Sequence, residues 1–100
     1  MGTKARMRQE RLAEKLLQVR FALGLSQSEM LRHLGFADVI DYKRVSEYEI
    51  GRNEPPLAVL LSYARAAGVC VDVLIDDKLD LPAKLPAKPK HRPTPSGGNS

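Results

Sequence analysis

The sequence predicts an all-α domain, and three observations predict it. Apolar residues recur at helical spacing in several runs, the runs end at glycines, and the chain has few aromatics (5%) and no Trp. One hundred residues leave room for one small domain with one core.

In the first run Leu12, Leu16, Val19 and Leu23 lie at i, i+4, i+7 and i+11. That is a core-facing stripe on a helix expected from about Arg8 to Leu23 and closed by Gly24. Ser26 opens a second helix: its hydroxyl is placed to accept from first-turn N–H groups, and Glu29 completes a capping box. Met30, Leu31 and Leu34 give the helix from Gln27 to Leu34 one apolar face, and Gly35 is its stop. A third helix is expected from a cap at Asp41 to about Tyr48, with Val45 and Tyr48 inward and Gly51 beyond its end. Its outward side carries Tyr42, Lys43, Arg44 and Glu47. A short helix with such a polar front fits the major groove of DNA, which admits one α-helix.

Pro56 suits the first position of a fourth helix, where its missing N–H costs nothing. Leu57, Leu60, Leu61, Ala64 and Ala67 are its expected core face, and Gly68 its stop. In residues 69–75, VCVDVLI, alternating β-branched residues favour a strand locally. A lone strand in a helical domain has nothing to pair with, which favours a helix instead. Cys70 is expected there as a small buried hydrophobe. From Lys78 onward Pro and Lys dominate, a doubled LPAK unit runs into Ser and Gly, and residues 78–100 are expected to be a disordered tail. Residues 1–11, with Lys4, Arg6, Arg8 and Arg11, are expected to be a flexible basic arm that could reach DNA phosphates.

The formal net charge of +4 belongs to those two ends, because residues 12–77 hold seven Lys/Arg against ten Asp/Glu, a net of −3. Basicity alone is therefore weak evidence for a nucleic-acid partner. The placement of Lys43, Arg44 and Arg52 is better evidence. No apolar stretch approaches the ~20 residues that cross a bilayer, so no membrane partner is expected. A single Cys makes no internal disulfide, which agrees with a reducing cytosol and a cytoplasmic location. There is no Ser/His/Asp set, no metal-ligand spacing and no phosphate-cradling glycine loop, so neither an enzyme nor a cofactor is expected.

The runs LSQSEMLRHLG, VSEYEIGRNEPP and LAVLLSYARAAGV together resemble the lambda-repressor/Cro (XRE-type) helix-turn-helix domain, over residues 12–76. The resemblance implies a compact five-helix fold, with the fifth helix starting near Cys70. It implies that Arg20 pairs with Glu49 and fixes the recognition helix against the first helix. Gln27 would face the DNA backbone and brace that helix, and Arg52 would contact phosphate. Tyr42, Lys43, Arg44 and Glu47 fall on the base-reading positions. Their chemistry suits base reading, since Arg or Lys pairs with guanine O6/N7, Glu accepts from cytosine N4, and Tyr contacts phosphate or a thymine methyl. The implied protein is a bacterial or phage-type transcriptional regulator that binds double-stranded DNA as a homodimer on a palindromic operator. Val71, Val73, Ile75 and Leu79 are its candidate dimer contacts.

Two features depart from the family. Thirteen residues separate Gly35 from Glu49, a longer connection than the family's, with the addition around Phe36 to Val39. Leu31 stands where the family usually has Ala. Phe36, Val39 and Ile40 are expected as extra core beside it, and the offset between helices two and three is expected to differ. The alternative reading is an antitoxin-like or adaptor module that binds a protein partner on the same fold. The net negative core and altered turn favour it, and the grouping of Lys43, Arg44 and Arg52 opposes it.

Overall fold

Among residues 10–86, the part of the chain described by the computed structural model, five α-helices form and no strand. They are α1 (Leu12–Leu23), α2 (Gln27–Leu34), α3 (Lys43–Glu49), α4 (Leu57–Ala67) and α5 (Val71–Ile75). The α1 helix lies centrally, packed on α3, α4 and α5, while α2 touches α3 and α4. Its whole stripe of Leu12, Leu16, Val19 and Leu23 is buried, together with Met30 and Leu34 of α2, Tyr48 of α3 and Leu74 of α5. Truncating a fully buried member such as Leu16 to Ala is a change of the kind that costs ~2–5 kcal/mol.

Local chemistry sets the helix ends. At α2, Ser26 Oγ accepts from the Glu29 N–H at 3.1 Å, and Glu29 Oε1 accepts from the Ser26 N–H at 2.8 Å, a complete capping box. Gly35 ends this helix at φ +90, and an added Cβ would meet nothing within 4 Å, so conformation rather than space calls for glycine there. The last α2 carbonyl, Leu34 O, accepts from Ser62 Oγ of α4 at 3.1 Å.

The start of α1 lies at Leu12, later than the periodicity predicts, and Arg8 falls outside the described residues. The side chain of its N-cap residue, Arg11, makes no capping hydrogen bond. Asp77 instead holds this end from the far side of the sequence: Oδ2 accepts from the Glu10 N–H at 2.9 Å and Oδ1 from the Arg11 N–H at 3.0 Å. Arg11 returns the contact, donating to Asp77 O at 2.9 Å, to Leu79 O at 3.3 Å and to Asp80 Oδ1 at 2.6 Å. One turn on, the fully buried Lys15 donates Nζ to Val73 O at 2.8 Å and to Asp76 O at 2.9 Å. A cation there serves the carbonyl end of the short α5. Burial lowers the Lys15 pKa, with Arg11 acting in the same direction.

Four expectations need correction. On α4, Leu57 (84% exposed) and Leu61 (42%) lie outside the core, and Val59, Leu60, Tyr63, Ala64 and Ala67 form it. The inward stripe is rotated about the helix so that it is centred on Tyr63, the largest of the fully buried side chains. Val39 is 75% exposed. The Val39 and Ile40 N–H groups both donate to Phe36 O, at 3.0 and 2.9 Å, and this tight turn sends Phe36 and Ile40 toward the core and Val39 outward. Cys70 is exposed, because it is the extended residue just before α5 rather than part of its inner face.

The fourth concerns residues 78–86. Arg11 holds the chain at Leu79 and Asp80, and Leu81 and Leu85 are half-buried against the core. Together with Gln18, Phe21 and Ala22 of α1 they line an open cleft, so the packed domain extends past Asp77. The remainder of the expected tail, like most of the basic arm, lies outside the described residues.

Candidate functional site

Two networks position the third helix. The first fixes its end. Arg20 of α1 meets Glu49 in a two-point pair, Nε to Oε2 at 2.7 Å and Nη2 to Oε1 at 3.0 Å. Gln27, at the start of α2, adds Nε2 to the same Oε1 at 3.2 Å. Arg20 also donates to Leu25 O at 3.1 Å, in the turn between α1 and α2, and its guanidinium lies 5.0 Å over the Phe21 ring. Glu49 is buried, so its charge is removed from water and matched in place. The carboxylate thus ties α3 to both preceding helices, to α1 through Arg20 and to α2 through Gln27.

The start of α3 is fixed from Asp41, whose Oδ1 accepts from the Lys43 N–H at 2.9 Å while its carbonyl accepts from the Arg44 N–H at 2.9 Å. The inward pair is as the spacing predicts, with Val45 and Tyr48 buried. Burial, chiefly, raises the Tyr48 pKa.

On the outer side Tyr42, Lys43 and Arg44 are exposed. Glu47 is not: it is half-buried and accepts at one oxygen, Oε1, from Arg44 Nη1 at 2.9 Å and Asn53 Nδ2 at 2.6 Å. These two bonds, Arg44 first, lower the Glu47 pKa. The chain then turns back over the helix end. Gly51 at φ +81 permits it, the Arg52 N–H donates to Glu47 O at 2.9 Å, and Arg52 presents an exposed side chain.

The sequence-predicted residues therefore fall into three groups. Arg20 and Gln27 both meet Glu49, Arg44 meets Glu47, and Tyr42, Lys43 and Arg52 project to solvent. Asn53 joins the second group, although helical periodicity does not single it out. The signal that could have found it is local: an amide side chain in a turn, reaching back to the last turn of the helix. Among the candidate dimer residues, Val71 and Val73 are half-buried, and Ile75 and Leu79 are exposed.

The described residues hold no group of three His, Cys, Asp or Glu side chains placed for a metal ion. No helix among them is long and apolar enough to cross a membrane. No family model matches this chain, and neither a curated protein nor a solved structure matches it.

Proposed function

We propose that the chain is a sequence-specific double-stranded DNA-binding protein of the lambda-repressor/Cro type, a transcriptional regulator that inserts α3 into the major groove. The observation that carries this reading is the Arg20–Glu49–Gln27 network. It locks one short helix to its two predecessors while Tyr42, Lys43 and Arg44 stay exposed on that helix and Arg52 stays exposed just after it. A rigid support behind a cationic, hydrogen-bonding front is what groove reading requires. One such helix covers only a few base pairs, so two copies on a two-fold symmetric operator supply the affinity and specificity.

Selection from a random duplex library at fixed salt tests this directly. An enriched sequence with two-fold symmetry supports it, and no enrichment removes it. A protein-binding role is the second reading, favoured by the exposed Ile50 (65%) and Leu57 (84%) on either side of the turn after α3.

A further inference from the structure

We infer that Asn53 is a positioning residue for Arg44, acting through Glu47, and that Glu47 aims the arginine instead of reading a base. The inference rests on the DNA-binding reading above.

Two donors converge on Glu47 Oε1: Arg44 Nη1 at 2.9 Å from the preceding turn of α3, and Asn53 Nδ2 at 2.6 Å from the turn after it. Asn53 is itself anchored, since the Arg52 and Asn53 N–H groups both donate to Glu47 O, at 2.9 and 3.4 Å. The Glu47 side chain is 28% exposed against 55% for Arg44, so the guanidinium is the more accessible member of the pair. An uncompensated carboxylate at a phosphate-lined groove is repelled. Here its charge is met by Arg44, and the hydrogen bonds that hold it also favour its ionised form.

The bond to Glu47 uses Nη1 and leaves the Nε–Nη2 edge of the guanidinium, two parallel donors suited to guanine O6 and N7. An arginine already held in place loses less conformational freedom on binding than one free in solvent. An exposed i,i+3 ion pair adds little to stability, so the arrangement can be dismantled without dismantling the fold.

The test uses the duplex that the wild-type protein enriches from a random library, with every base pair replaced in turn. Arg44→Ala is expected to flatten the preference at one base pair roughly tenfold. Asn53→Ala and Glu47→Ala are expected to flatten it at that same base pair, severalfold and less than Arg44→Ala, with other positions unchanged. Glu47→Gln keeps an oxygen that accepts from both donors and is expected to retain the preference. Thermal melts establish that each variant folds, and NMR titration of the Glu47 carboxyl should move up toward the ordinary range in Asn53→Ala.

The inference is overturned if Glu47→Ala relaxes a different base pair from Arg44→Ala, which would make Glu47 a reader. It is equally overturned if Asn53→Ala leaves the base profile or the Glu47 titration unchanged. Enrichment of a duplex together with either result sinks this inference alone, whereas no enrichment by the wild-type protein removes the DNA reading and this inference with it.

Discussion

Arg20 and Glu49 face each other across the junction of α1 and α3 with two parallel hydrogen bonds, at 2.7 and 3.0 Å, and their side chains are only 13% and 4% exposed. Removing either partner leaves a mostly buried charge without its counterion, a change that costs ~3–5 kcal/mol. Arg20→Ala and Glu49→Ala are each expected to destabilise by that order. The double variant should cost less than the sum, because it strands no charge. Denaturant melts of the four proteins give the coupling directly, and additive single effects would show the contact to be energetically idle.

Asp77 makes a different demand, on pH. Hydrogen bonds from the Glu10 and Arg11 N–H groups hold its pKa below the ordinary 3.8. A carboxylate depressed on folding contributes stability above its unfolded value, and that contribution is lost as pH falls through the lower, folded value. The wild-type melting temperature should therefore drop below about pH 4, and Asp77→Asn should melt lower at neutral pH with a shallower acid limb. An acid limb identical to wild type would mean that the cap on α1 contributes nothing.

How far these features can be read from the sequence depends on how local they are. The capping box of Ser26 and Glu29, the stop at Gly35 and the stripe from Leu12 to Leu23 are set by neighbours within a few residues, and all are present. The pair of Arg20 and Glu49 is distant in sequence and was legible only through a family resemblance. The cap from Asp77 to Arg11 was not legible, because two segments at opposite ends of the domain have to be folded before they meet. Lys15 illustrates the same limit: a lysine on a helix reads as a solvated charge until the end of α5 supplies carbonyls for it. The face of α4 was legible only in part, since leucines at helical spacing fit more than one rotation of the helix and packing settles on the one centred on Tyr63. At the candidate site, the cationic face was legible as residue types, whereas the bond from Asn53 to Glu47 required the course of the turn after α3.

Tyr63 also makes the third prediction. It is fully buried, and its Oη has no hydrogen-bond partner among the described residues. An unsatisfied buried hydroxyl carries a desolvation penalty of ~1–3 kcal/mol, so Tyr63→Phe, which keeps the ring, should be neutral or stabilising. Burial above all, then the charges of Glu49 and Tyr48, raises the Tyr63 pKa. A group raised on folding contributes stability that is fully present below its unfolded value, near 10, and is lost as pH rises through the folded value. Tyr63→Phe should accordingly lose less stability in alkali than wild type, with the smaller effect of Tyr48 remaining. A clear loss of stability at neutral pH would show that the hydroxyl is paired after all.

Arg44 lies on α3 and Arg52 in the turn that follows it, and the DNA reading assigns them different work. Arg52 is exposed in the turn after the helix, where a phosphate can neutralise it without revealing any base. Arg52→Ala should weaken binding to all duplexes alike and lower the slope of log affinity against log salt by about 2 for the dimer, since each of its two copies gives up one phosphate and each phosphate neutralised contributes ~0.9. Arg44 stands on the outer face of the helix with a free pairing edge, and its loss should remove ~1–3 kcal/mol of specific binding at one base position. Titrations of the enriched duplex and a scrambled one, each at several salt concentrations, separate the two effects. If affinity does not respond to salt, phosphate contact is not part of the mechanism. If Arg44→Ala folds and keeps its sequence preference while Arg52→Ala loses it, the reading surface lies in the turn after α3, and the exposed Ile50 and Leu57 beside it become the contacts to examine.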